Sequence, residues 1–236
     1  MYSELQLDRI RETLAGLDRR VGERFPKSGL CRVSRELVQV AQDCGPTIDR
    51  LRLPMVKLRV GTGVGISAVL GLIVAMWIMG HRVSMRVTDI SDWLQGSEAL
   101  LSEVVLVGLA ILFFTSLESR FKRRVALASL HQLRSIVHIV DMHQLTKDPE
   151  PLLTPRMSTQ SSPERTLTRF ELVRYLDYCS EMLSLTSKLA ALHVQYLRDP
   201  VVLNAVNDIE TLAAHLSGKI WQKIMILDLA VARQGD

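Results

Sequence analysis

Residues Val60–Gly80 read VGTGVGISAVLGLIVAMWIMG, without one charged side chain. At about 1.5 Å per helical residue the run spans roughly 30 Å, the thickness of a bilayer's hydrocarbon core, so it predicts a transmembrane helix. Glycine is a poor choice for a soluble helix, yet here small residues recur at small-x-x-x-small spacing, Gly61 with Gly65 and Ser67 with Gly71. That spacing admits a second helix backbone at close range and makes these four candidate helix-packing residues. The competing explanation is that glycine is simply commoner in membrane spans.

A second apolar block, Ala99–Leu117 (ALLSEVVLVGLAILFFTSL), is just long enough to cross as well, and its one ionisable residue is Glu103. An ionised carboxylate in hydrocarbon costs several kcal/mol unless it is paired, hydrated or protonated. Glu103 lies about 6 Å from the start of the span by helical rise, within reach of the headgroups, so it reads either as an interfacial residue or as a pore-lining acid.

Arg50, Arg52, Lys57 and Arg59 precede the first span and Arg120, Lys122, Arg123 and Arg124 follow the second, whereas the connection 81–98 carries Arg82 and Arg86 alone. Positive charge stays inside, which places both termini in the cytoplasm. Arg120, Lys122, Arg123 and Arg124 are also candidates for contact with anionic headgroups at the membrane surface. The charged start MYSELQLDRIRETL has no apolar core, so no signal peptide is expected and the first span stays in the mature chain.

Outside the membrane the pattern is helical throughout. Leu7, Ile10, Leu14, Leu17 and Val21 recur at 3,4 spacing, and after a break at Phe25-Pro26 and Ser28-Gly29 the run Val33, Leu37, Val40, Cys44 continues until Gly45-Pro46, where it is expected to stop. Beyond the second span Leu130, Leu133, Val137 and Val140 keep the spacing with no Gly or Pro before Lys147, predicting one long helix that leaves the bilayer and ends before Pro149. Residues 149–166 (PEPLLTPRMSTQSSPERT) have linker composition. The seams Met182, Leu185, Leu189, Leu192, Tyr196 and Val206, Ile209, Ala213, Leu216, Ile220 then predict two antiparallel helices joined at Asp199-Pro200.

The expected fold is therefore an all-α membrane protein, a two-helix transmembrane hairpin with a cytoplasmic helical bundle. Its parts are amphipathic helices over 1–59, the hairpin over 60–117 (spans 60–80 and 99–117, external loop 81–98), a cytoplasmic extension over 118–148, the linker 149–166, and a helical hairpin over 167–236 that completes the bundle. Bacterial inner membrane is the simplest location for this topology.

The potential metal ligands crowd in HQLRSIVHIVDMHQLTKD (131–148), where His138 and Asp141 share a helix face at i,i+3. A complete site needs ligands from another helix, for which His193 and His215 are available. Three cysteines without C-x-x-C spacing argue against a disulfide framework or a zinc knuckle. The glycines of GTGVG open a span instead of following a strand, and no nucleotide-binding, metalloprotease or serine-hydrolase motif is present. The formal charge of +4 comes largely from residues flanking the spans, which removes the case for nucleic acid. These readings lead to a non-enzymatic membrane protein without cofactor, a homo-oligomer in the lipid bilayer that scaffolds protein partners through its cytoplasmic helices. The alternatives are an oligomeric ion channel with Glu103 at its outer mouth, and a metal-responsive membrane protein using His138 and Asp141.

Overall fold

Periodicity of 3 and 4 sets where the helices of this protein lie. The structure, a computed structural model, describes residues 4–82, 90–147, 149 and 167–232, and among these no strand occurs. In chain order the helices are α1 (Leu7–Arg24), α2 (Gly29–Arg52), α3 (Val56–Arg82), α4 (Ile90–Leu145), α5 (Arg169–Tyr196) and α6 (Pro200–Ala232). They divide into two units, Met1–Arg52 with Arg123–Asp236, and Leu53–Lys122.

The first unit is a helical bundle. α1 buries Ile10, Leu14, Leu17 and Val21, the seam expected from sequence. Pro26 cannot prolong α1, and Ser28 restarts the chain by accepting a hydrogen bond from the Cys31 N–H in the first turn of α2 (3.2 Å). The 123–145 part of α4 contributes Ala126, Leu130, Leu133, Ile136, Val137 and Val140, all nearly inaccessible. α5 is apolar on most sides and α1, α2 and α6 pack on it, so it forms the middle of the bundle. Its start carries a capping box, with Thr168 accepting from the Glu171 N–H while the Glu171 carboxylate accepts from the Thr168 N–H. Asp199 caps α6 by accepting from Val201 and Val202 N–H (3.0 and 3.2 Å), with Pro200 at the first helical position.

Two sequence expectations need correction. Gly45-Pro46 does not end the helix, since α2 runs through it to Arg52. A proline in a helix leaves the carbonyl four residues back without its donor. Here that carbonyl is Gln42 O, and Arg11 of α1 supplies the donor, its Nη2 giving a hydrogen bond to Gln42 O (2.9 Å) and its Nε another to Ala41 O (3.1 Å). A Cβ at Gly45 would collide with the Arg11 guanidinium, so glycine makes room for the group that repairs the break. We expect Arg11→Ala to lower bundle stability by about 0.5–1.5 kcal/mol through the loss of these hydrogen bonds to partly exposed carbonyls. Hydrogen exchange should accelerate first in residues 47–51, and uniform protection along α2 would refute this account.

The second correction concerns helix length. α4 begins at Ile90, earlier than the apolar block that starts at Ala99, so the connection expected over 81–98 is helical at both ends. An apolar window marks the lipid-compatible length, whereas helix ends follow backbone hydrogen bonding and run on into polar sequence. The expected linker falls outside the described residues apart from Pro149, as does the 83–89 part of the connection.

Candidate functional site

Unit Leu53–Lys122 contains α3 and the first part of α4, antiparallel to each other. Contacts step down one helix as they step up the other: Arg59 meets Glu118, and Thr62 and Gly65 both meet Phe114. Ile66, Val69 and Leu70 face Val107, Ala110 and Ile111 across the same seam. Mean hydropathy reaches 2.1 and 1.9 over the 18-residue windows of the two apolar helices, and no residue of either window is buried. By length and composition both helices can cross a membrane. Leu72, Trp77 and Leu106 are 65%, 65% and 70% exposed, so the apolar surface points outward and not into a core.

The four small residues of α3 divide. Gly65 lies against α4, where an added Cβ would stand 3.0 Å from the Phe114 ring. Gly61 and Gly71 face open space, and Ser67 is exposed. Gly61, Val64, Ala68, Gly71 and Ala75 line up at 3,4 spacing as one exposed, mostly small face of α3.

Glu103 is half-buried and stands at helical spacing with Val107, Ala110 and Phe114, the row of α4 that packs on α3. The acid that organises this unit is Glu118. Its carboxylate accepts from Arg59 Nε (2.7 Å) and from the Met55 N–H at the start of α3 (3.2 Å), and pairs with Lys122 Nζ at 3.2 Å. The bond from Arg59, joined by Met55 and Lys122 and opposed by burial, holds its carboxyl at about 2. Glu118 thus stays ionised and ties the first turn of α3 to α4. The signal for it was in the sequence: Arg59 stands just before one apolar run and Glu118 just after the other, which an antiparallel hairpin brings level.

Three of the four basic residues expected at the membrane surface also have partners within the protein. Arg120 lies over the Phe113 ring at 5.9 Å, and Lys122 serves Glu118. Arg123 gives hydrogen-bonded ion pairing to Asp199 at 2.7 Å, which joins α4 to the start of α6. Burial pushes the Asp199 carboxyl up, but Arg123 and the Val202 and Val201 N–H groups outweigh it and keep it below its usual range. Arg124 is exposed.

In the bundle, the proposed metal pair does not gain partners. His138 is exposed, and Asp141 accepts a hydrogen bond from Gln144 Nε2 (2.7 Å). Among the described residues no three His, Cys, Asp or Glu side chains converge to hold a metal. His193, named as a reserve ligand, is fully buried and belongs to a different constellation. Its Nε2 lies 3.0 Å from Ser129 Oγ and its Nδ1 3.0 Å from Leu189 O, while Ser129 Oγ is 3.6 Å from Cys44 Sγ. Nucleophiles within reach of an imidazole resemble an acyl-transfer centre, but Cys44, Ser129 and His193 are 1%, 8% and 0% exposed, closed off from solvent in this structure. Burial also pushes the Cys44 thiol up, and Cys179 to about 12, which keeps both thiols protonated and unreactive.

What the bundle does present to the outside is a groove between α1, α5 and α6, about 510 Å³ in volume. Asp177, Ser180, Glu181, Ser184 and Lys188 make its floor polar, and Trp221, 60% exposed, stands on its wall. No protein-family model matches the chain, and no curated protein or solved structure matches it.

Proposed function

We propose that this chain is a two-span integral membrane protein that self-associates and holds protein partners on its helical bundle, without enzymatic chemistry of its own. The observation that carries the reading is the uncovered apolar length of α3 and α4: two windows of high hydropathy with none of their residues buried. In water such surface is penalised by about 25 cal/mol per Å², whereas in a bilayer it is at home. The basic flanks favour both termini on the cytoplasmic side, with a bacterial inner membrane as the simplest setting.

Self-association is supported by the exposed face Gly61, Val64, Ala68, Gly71 and Ala75, since in lipid helices associate through small residues that allow close backbone approach. Scaffolding is supported by the polar groove beside Trp221, an aromatic of the kind enriched at binding surfaces. The half-buried place of Glu103 on the α3-facing row favours this reading over a channel, which needs the acid turned toward the axis of an assembly.

The test is the mass of the nanodisc-embedded particle by native mass spectrometry. We expect a multimer for the wild type and a shift toward monomer for Gly71→Leu. A monomeric wild type would remove self-association, and recovery of the wild type from the soluble fraction would remove the membrane reading itself.

A further inference from the structure

We propose that the Cys44–Ser129–His193 chain is a proton-sensitive lock of the bundle, which fastens α2 and α4 to α5 while His193 is neutral and releases that contact when the imidazole takes up a proton. The hydrogen positions follow from which atoms can only accept. Leu189 O can only accept, so the Nδ1 facing it at 3.0 Å carries the imidazole hydrogen. Nε2 is then an acceptor, and Ser129 donates its hydroxyl hydrogen to it at 3.0 Å. That leaves Ser129 Oγ free to accept from the Cys44 thiol at 3.6 Å. Each hydrogen is used once, and the order Cys44 to Ser129 to His193 to Leu189 runs in one direction from α2 through α4 into α5.

A proton arriving at Nε2 converts that nitrogen into a donor. Ser129 must then accept from it, and its own hydrogen has to turn toward Cys44, a weak sulfur acceptor, or toward a carbonyl of its own helix; either way the order that the neutral ring sets is lost. Among the described residues no carboxylate pairs with the imidazole, so an imidazolium would lack a counter-charge. The charged groups that act on the Cys44 end of the chain are engaged elsewhere, Arg11 of α1 on the Ala41 and Gln42 carbonyls and Asp43 of α2 with Gln39. Burial pushes the His193 imidazole below its ordinary range, consistent with a site built for the neutral ring.

The direction with pH follows. A histidine whose folded value lies below its unfolded value of about 6.5 contributes fully above that value, and its contribution is lost as pH falls below it. Between pH 7.5 and 5.5 protonation of a free imidazole raises the statistical weight of the unfolded state by about tenfold while the folded ring stays neutral.

Hydrogen exchange of the full chain in nanodiscs tests this, with rates corrected for intrinsic exchange at each pH. Between pH 7.5 and 5.5 we expect protection of peptides around Cys44, Ser129 and His193 to fall about tenfold more in the wild type than in His193→Gln, in which His143, also held below its ordinary range by burial, still titrates. Equal pH dependence in the two proteins would overturn the proposal. Should His193→Gln fail to fold, the carbon–proton NMR titration of wild-type histidine decides instead. A native His193 signal that moves with an ordinary midpoint near 6.5 overturns the lock, and a signal that stays fixed while exchange rises supports it.

Discussion

Leu109→Arg is expected to prevent stable insertion of the second apolar helix, moving its insertion free energy by about 3–4 kcal/mol. The size follows from the difference between leucine and arginine at the centre of a span, and it corresponds to more than a hundredfold in the inserted-to-excluded ratio. Leu109 stands near the middle of Ala99–Leu117 and is 60% exposed, so arginine there clashes with no packed neighbour and acts through the surrounding solvent alone. The matched control is Leu145→Arg at the last residue of α4, where leucine is 63% exposed on the bundle and the same change should cost well under 1 kcal/mol. Alkaline extraction of membranes reads the outcome. Wild type and Leu145→Arg should remain in the pellet, and Leu109→Arg, held by α3 alone, should be extracted more readily. If alkali releases the wild type, the apolar faces of α3 and α4 are covered by something other than lipid, and the membrane reading fails.

Much of this fold is legible in the chain because helices repeat locally. The seam Ile10, Leu14, Leu17, Val21 needs no knowledge of its partner to be seen, and it is the buried face of α1. Pro200 after Asp199 announces a helix start by the same local logic. Where the reading went astray, the deciding group was remote. Pro46 looked like a stop because Arg11, which satisfies Gln42 O, lies on another helix 31 residues away. The pair of Arg123 with Asp199 was hidden for the same reason, its members lying 76 residues apart. The buried polar chain is least visible of all, since Cys44, Ser129 and His193 are separated by 85 and 64 residues and no spacing rule connects them. Glu118 is intermediate: hydropathy drew attention to Glu103, the acid inside the apolar run, and away from the acid at its edge that accepts from Arg59 and Met55.

The same helix carries the second large effect, through a different environment. Leu133 is inaccessible to solvent and lies on the α4 face with Leu130, Val137 and Val140, within the core that α1, α2, α5 and α6 also build. Leu133→Ala removes buried methyl groups and leaves a cavity that rigid neighbouring helices fill only in part, which costs about 2–5 kcal/mol. Against a typical total of about 5–15 kcal/mol, that is a large share of the stability of the bundle. Chemical denaturation in detergent, followed by helical circular dichroism, should show the midpoint falling with little change in slope. Alkaline extraction of Leu133→Ala should match the wild type, because the hairpin's apolar surface is untouched. A loss below about 1 kcal/mol would mean that the 123–145 part of α4 does not belong to the bundle core. Read with Leu109→Arg, the result separates two solvents along one helix: at Leu109 a charge is penalised by what surrounds the protein, and at Leu133 a small side chain is penalised by the protein itself.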